Sequence, residues 1–311
     1  MNSLQQMPGT PARKNARNGE PRILHPVRDR ADWSRTAPEG ETVRRICVLD
    51  TETTGLRLEK HQIIELCGAV VLVDDRGCVV AVEQVKTGLV DPGHPLPPEI
   101  IELTGLTDAD LAGKSICPEQ LVAFLEGCDG VIAFNAGFDR PFVEKHVGRQ
   151  VAVPWGCAMQ DVPWRKLGFE PGPQGYLLAQ AGYYMPNAHR ARDDVLALIE
   201  LLDYVCADGE SVMAKVLAAI EAPAWRFEAW GAPYGFKNEL KDSRYQWAPE
   251  RAHKIWHKHV RQADFRSEYR WYRQTISKRP MVVPLPATER YRADETWSPK
   301  QPKVSVPDFL R

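Results

Sequence analysis

Apolar and polar positions fall into regular patterns from residue 45 onward, beginning with a short strand. Ile46, Cys47, Val48 and Leu49 form an apolar run that ends in polar residues and Gly55, a strand signature. Residues 63–73 are β-branched and apolar, residues 74–77 read as a turn, and residues 78–85 predict a further strand, giving an antiparallel meander. A proline-rich loop follows at 92–98. Short helices are expected from Pro98 to near Gly105 and from Thr107, and residues 118–127 place Leu121, Val122, Phe124 and Leu125 on one helical face. Residues 131–134 are wholly apolar, as a central buried strand should be, and lead into a helix through His146. A fifth short strand is expected at 151–155 and a helix at 176–181. A long helix at 190–205 carries Val195, Leu198, Ile199, Leu202 and Val205 at core spacing. Three antiparallel strands followed by strands alternating with helices predict an α/β domain with a mixed five-stranded sheet.

The flanks have a different texture. Residues 1–42 hold few apolar side chains and predict a disordered N-terminal tail ahead of a domain at 43–222. Residues 224–272 contain five tryptophans and four tyrosines among many lysines and arginines, so 223–280 reads as a small separate module. Within it, residues 244–247 and 255–258 predict two strands joined at Pro249 and Glu250, followed by a helix from Asp264 to about Ile276. Residues 281–311 read as a proline-rich tail.

Charge sharpens this division. The net charge of −1 hides +3 over residues 1–40, −11 over 41–220 and +7 over 221–311. An acidic middle with basic ends suits a carboxylate site flanked by segments that attract polyanions. The seven cysteines are scattered without a C-x-x-C pair, which favours buried free thiols over disulfides or zinc. No apolar run approaches the roughly 20 residues of a membrane span, and residues 1–10 lack a signal-peptide core. A cytoplasmic protein with no membrane partner is expected.

The candidate chemistry begins where the first strand ends. Residues i and i+2 of a strand share a face, so Asp50 and Glu52 should stand side by side. Two such carboxylates repel unless one is protonated or a cation intervenes, and a hard cation such as Mg²⁺ suits them. A lone D-x-E is more often a charged strand end in solvent. Here Asp139 follows the fourth strand, and His189 and Asp194 straddle the start of the long helix. Four carboxylates converging there could bind two divalent cations about 3.5–4 Å apart, as used for phosphoryl displacement, with a neutral histidine accepting the proton of water.

D-T-E-T-T-G at 50–55, N-A-x-F-D-x-x-F at 135–142 and H-R-A-x-x-D at 189–194 resemble, in order, the three motifs of the DnaQ-like (DEDDh) 3′–5′ exonucleases, as in DNA polymerase III epsilon-subunit-like enzymes. E-L-T-G-L-T at 102–107 is similar to the family's linker, and the likeness covers about 44–207. It implies a ribonuclease-H-like fold. It also implies that Asp50, Glu52, Asp139 and Asp194 bind two Mg²⁺ (or Mn²⁺), with His189 as general base. Motif spacing selects Asp194 over Asp193. Thr51, Thr53 and Leu56 match positions lining the terminal-nucleotide pocket, and Phe138 matches an apolar wall beside Asp139. Phe134 departs from the family, which often has histidine there.

The implied activity is release of nucleoside 5′-monophosphates from single-stranded DNA ends, in repair or proofreading-like trimming with a polymerase or repair partner. Trimming of RNA 3′ ends is the nearest alternative. A non-catalytic nucleic-acid-binding scaffold is another, and presence of all four acids and His189 argues against it. In the basic module, R-Y-x-W … W resembles an appendage of some bacterial relatives. Arg244, Trp247, Lys254, Trp256 and Lys258 are candidate nucleic-acid contacts there, since cations neutralise phosphates and aromatic faces stack on bases. The alternative is that the tryptophans build the module's own core.

Overall fold

The computed structural model describes residues 23–29, 33, 42–185, 189–248, 255–276 and 280–293. In chain order the first unit contains β1 (His25–Pro26), β2 (Arg44–Thr53), β3 (Ile63–Val73), β4 (Val79–Leu89), α1 (Pro98–Thr104), α2 (Asp108–Leu111), α3 (Pro118–Glu126), β5 (Gly130–Ala133) and α4 (Ala136–Val147). It continues with β6 (Trp155–Cys157), α5 (Ala158–Asp161), α6 (Gln174–Ala181), β7 (Tyr183–Tyr184), α7 (Ala191–Asp203) and α8 (Val212–Glu221). Chain contacts divide into two compact units between Ala219 and Ile220.

The sheet of the first unit has the order β4-β3-β2-β5-β6. β2, β3 and β4 pair antiparallel as the expected meander, while β5 and β6 run parallel to β2. This mixed five-stranded sheet flanked by helices is the ribonuclease-H-like α/β architecture expected. β3 is buried along almost its whole length because helices cover it, which is why its sequence is apolar apart from Glu65. α7 packs across β2 and β3 with Val195, Leu198, Ile199 and Leu202 buried, each such side chain contributing roughly 1.5–3 kcal/mol by leaving water.

The fifth strand lies at Trp155–Cys157 and not at 151–155. Side chains claim the backbone of the earlier residues: Val151 N–H donates to Glu144 Oε1 and Val151 C=O accepts from Arg140 Nη2. Pro154 supplies only its carbonyl, to Val131 N–H.

The expected disordered tail is corrected over 23–29 and at Trp33. β1 pairs parallel with β7, and the Arg28 guanidinium binds both oxygens of Glu200, at 2.9 Å from Nε and 2.7 Å from Nη2. Trp33 is buried beneath that guanidinium, 3.6 Å from it. Low hydropathy predicts a tail, but a cation that satisfies a buried acid 172 residues away leaves no local signal.

The second unit contains β8 (Ala224–Glu228), α9 (Lys237–Asp242), β9 (Gln246–Ala248), β10 (Ile255–Arg261), α10 (Gln262–Thr275) and β11 (Met281–Pro284). They form a four-stranded sheet of order β11-β8-β10-β9, antiparallel throughout. The expected β9–β10 pair and the helix are present. β8 and β11 are additions, so residues 281–284 belong to a strand and not to an extended tail; the tail from 294 lies outside the described residues. Trp225 and Phe227 on β8 meet Phe265 of α10 edge-on, at 4.8 and 5.0 Å, so tryptophan does build this unit's core.

Candidate active site

β2 is tied on both sides before it reaches its acids. Its last ladder pair with the parallel neighbour is Leu49 with Ala133, so β2 continues past the end of β5 as Asp50, Thr51 and Glu52. Glu52 stands opposite Glu65 of β3, and the register shifts between Glu52 and Thr53. Such a bulge re-aims the side chains around it. Thr53 Oγ1 then donates to Gly55 C=O at 2.8 Å, closing the turn. Gly55 has φ of 151°, and a Cβ there would lie 2.7 Å from the His61 ring.

α7 brings the third acid. Asp194 sits in its first turn, and one carboxylate oxygen accepts the His189 N–H at 2.9 Å. The carboxylate oxygens of Asp50, Glu52 and Asp194 approach one another within 4.8 Å, and all three residues are half-buried. Asp139, in the first turn of α4, is buried. Its Oδ1 accepts from Thr51 N–H at 3.1 Å and from Thr51 Oγ1 at 2.8 Å. It lies outside the group of three yet close enough to act on Asp50.

The electrostatics follow from burial and like charge. Loss of water raises the Asp50 carboxyl well above its usual range, and Asp139, Asp194, Glu52 and Glu65 push it further. Glu52 rises to about 8, mainly through burial and then Asp194. Asp139 rises to about 7 through burial, with the Thr51 hydrogen bonds pulling the other way. Asp194 rises to about 6 through burial, opposed by its interaction with His189 and by the hydrogen bond from the His189 N–H. Protons hold such a cluster together only where cations do not. An all-oxygen donor set of this kind fits a hard divalent cation.

His189 is exposed, with φ of 65°, a left-handed conformation that a non-glycine residue adopts at some cost. Leu56 is 82% exposed beside the acids' turn. Thr51 and Thr53 are buried, and Phe138 is half-buried with its ring 4.9 Å from Phe142. Asp193 turns away toward Arg192. Three residues that sequence reasoning missed support the site. Glu65 binds the Arg190 guanidinium at 2.9 and 3.1 Å and accepts the Ala191 N–H at 3.1 Å, which fixes the start of α7. Gln174 donates to the Asp194 carbonyl at 2.8 Å. An acid placed mid-strand in an apolar run, as Glu65 is, was the available signal.

Of the candidate contacts in the second unit, Arg244 and Trp247 are exposed. Trp256 is half-buried and packs on the unit's core, 5.3 Å from Trp247. Lys258 turns inward, pairing with Glu268 and lying over the Tyr245 ring. Lys254 lies outside the described residues. His257 and His259 lie on β10, their rings 5.9 Å apart.

A clustered set of acids at the open end of a central strand, completed by a helix laid across the sheet, defines a nuclease-type α/β protein. Residues 47–202 match the RNase_T family, described as Exonuclease, and the chain belongs to that family. It is 31% identical over 166 residues to the DNA polymerase III epsilon subunit of Treponema pallidum, covering 51% of this chain and 74% of that protein. It is also 33% identical over 165 residues to a PolC-type DNA polymerase III of Clostridium perfringens, covering half of this chain and spanning only 11% of that protein. Among solved structures, E. coli Exonuclease I with a dT13 oligonucleotide matches at 15% identity and a TM-score of 0.44, covering 59% of this chain and 48% of that one. No helix among the described residues is long and apolar enough to cross a membrane.

Proposed function

We propose that this protein is a metal-dependent 3′–5′ exonuclease that releases nucleoside 5′-monophosphates from single-stranded DNA ends. The observation that carries the proposal is the convergence of Asp50, Glu52 and Asp194 within 4.8 Å in a member of an exonuclease family. Asp50, Glu52 and Asp194, with Asp139 beside them, would hold two Mg²⁺ or Mn²⁺. The bound ions would supply charge for the phosphate oxygens and acidify water, the role of paired cations in phosphodiester hydrolysis.

The rest falls to the chain. Thr51 keeps the Asp139 carboxylate aimed with two hydrogen bonds. Glu65 and Arg190 fix the start of α7, and with it Asp194. His189, exposed beside Asp194, takes the proton of the attacking water on a ring nitrogen. Leu56 offers an exposed apolar surface to the terminal base. Resemblance to DNA polymerase III subunits supports DNA as the polymer, and trimming in repair or proofreading with a polymerase or repair partner as the setting.

The test is a gel assay with 5′-labelled single-stranded DNA and matched RNA, with Mg²⁺ or Mn²⁺ added or chelated. A ladder shortening from the 3′ end, absent in Asp50→Ala/Glu52→Ala, is the expected result. Faster loss of RNA would reverse the choice of polymer. Tight binding without cleavage of either would leave a scaffold.

A further inference from the structure

The basic residues of the second unit divide into those spent inside it and those presented outward. Residues 241–280 hold 11 lysines and arginines against four acids. Lys258 is committed to Glu268. On α10 the buried positions are Phe265, Glu268 and Tyr272, while Arg266, Arg270 and Arg273 are exposed. At about 100° per residue these arginines fall within an arc of about 60° and rise about 10 Å along the axis. Arg270 and Arg273 make no ion pair among the described residues.

The row has a definite place on the helix. Trp271 packs 5.9 Å from Tyr245, and Glu268 holds Lys258, so the flank toward β9 and β10 is occupied. Tyr269 leans the other way, 6.5 Å from Phe227 of β8, and the arginines emerge beyond it. The exposed acid of α10, Asp264, precedes Arg266 by two residues and so points about 160° away from it. Neither acid of α10, Asp264 or Glu268, shares that flank. Arg244 and Trp247 lie on the β9 side, a separate surface.

We infer that the outer flank of α10 is the surface on which this protein holds the phosphates of a single-stranded polynucleotide, with Arg266, Arg270 and Arg273 as the contacts. Guanidinium groups bind phosphate oxygens in pairs and stay charged at all working pH values. Side chains three and four residues apart stand about 5–6 Å from one another at Cβ, a row that a flexible polyanion can follow. The choice of polynucleotide rests on the nuclease reading; the existence of an anion-binding flank does not.

The experiment uses the full chain in chelator, where no cleavage occurs. Binding of a labelled oligothymidylate of about 20 nucleotides is measured by anisotropy from about 50 to about 250 mM salt. Three variants are compared with wild type: Arg266→Gln/Arg270→Gln/Arg273→Gln, the same triple change to lysine, and Arg244→Gln/Trp247→Ala. Each single-strand phosphate contact contributes about 0.7 to the slope of log affinity against log salt, so the glutamine triple should flatten it by about 2 and weaken binding about 10- to 100-fold near 0.1 M salt. The lysine triple should keep the slope.

Turnover of a small chromogenic nucleotide phosphodiester, which needs the acid cluster alone, should match wild type in all three. An unchanged slope in the glutamine triple, or a loss found only in Arg244→Gln/Trp247→Ala, overturns the inference. So does equal binding of polyglutamate to wild type. A flattened slope in a protein that hydrolyses nothing would keep the surface and refute the nuclease reading.

Discussion

Two sets of carboxylates are withdrawn from water in this molecule, and they are treated in opposite ways. In the second unit Glu268 lies against the Lys258 ammonium and Glu228 against Arg226, so each buried acid has a cation of the same chain. At the end of β2, Asp50, Glu52 and Asp194 face one another; burial raises all three, and repulsion from neighbouring acids raises Asp50 and Glu52 further. The first unit can pair acids when the fold calls for it, as Glu65 with Arg190 and Glu200 with Arg28 show. The unpaired set is therefore a specific feature. A paired acid completes a domain by itself, whereas a cluster of like charge is completed by something that arrives.

The largest effect should come from breaking the cluster. Asp50→Asn removes one charge while keeping the shape of the side chain. Nuclease turnover should fall by at least about 10³-fold, since a donor to the bound cations is lost. In chelator the same variant should melt higher than wild type, because one repelling buried acid is gone. Lower melting together with lost activity would mean the acids are structural.

The second unit should respond in the opposite sense. Lys258→Met removes the cation and leaves the Glu268 carboxylate behind, which for a buried pair costs about 3–5 kcal/mol. The lower end is expected, because Lys258 is partly exposed. Six of the nine tryptophans lie beyond residue 219, so urea unfolding followed by tryptophan fluorescence reads this unit directly. Oligonucleotide binding of the folded fraction should keep its salt slope. A flattened slope without loss of stability would put Lys258 on the nucleic-acid surface.

pH sharpens the contrast. An acid whose folded pKa lies above its unfolded value holds its proton more tightly when folded. Its contribution to stability is complete below the unfolded value and disappears as pH rises through the folded one. Those folded values are about 6 for Asp194, about 7 for Asp139 and about 8 for Glu52. In chelator, the melting temperature of the first unit should fall by several degrees from about pH 5.5 to about pH 8.5. Millimolar Mg²⁺ should restore more at the upper end, where cations no longer compete with protons. A flat profile in chelator would show that the cluster is hydrated enough to ionise freely.

What could be read from the sequence was what repeats locally. The run at 63–73 is β3 residue for residue, because a strand covered on both faces is apolar at nearly every position, with Glu65 the exception. Asp50 and Glu52 were legible as a pair from period two, and Asp194 from the resemblance of its motif. What escaped depends on distant partners. Glu65 meets Arg190 at a separation of 125 residues, and Arg28 meets Glu200 at 172. β11 escaped for another reason. It sits at the sheet edge between Pro280 and its own last residue Pro284, and edge strands tolerate proline while composition reads it as a tail.

The smallest expected effect lies at the margin of the cluster, where a cation of the chain holds backbone instead of an acid. The Lys145 ammonium donates to the carbonyls of Leu58 and His61, at 2.6 and 2.7 Å. Those two bonds pin the turn that begins at Gly55 and carries the exposed Leu56. Because the ammonium also meets solvent, Lys145→Met should cost only about 1 kcal/mol of stability. If Leu56 meets the terminal base, a looser turn should raise KM for single-stranded DNA about 3- to 10-fold, since a misplaced contact weakens positioning more than chemistry. Turnover of a small phosphodiester lacking that base should be unchanged. Equal losses on both substrates would instead mean that Lys145 steadies the acids themselves, and the division between a self-contained framework and a cation-dependent cluster would have to be redrawn around it.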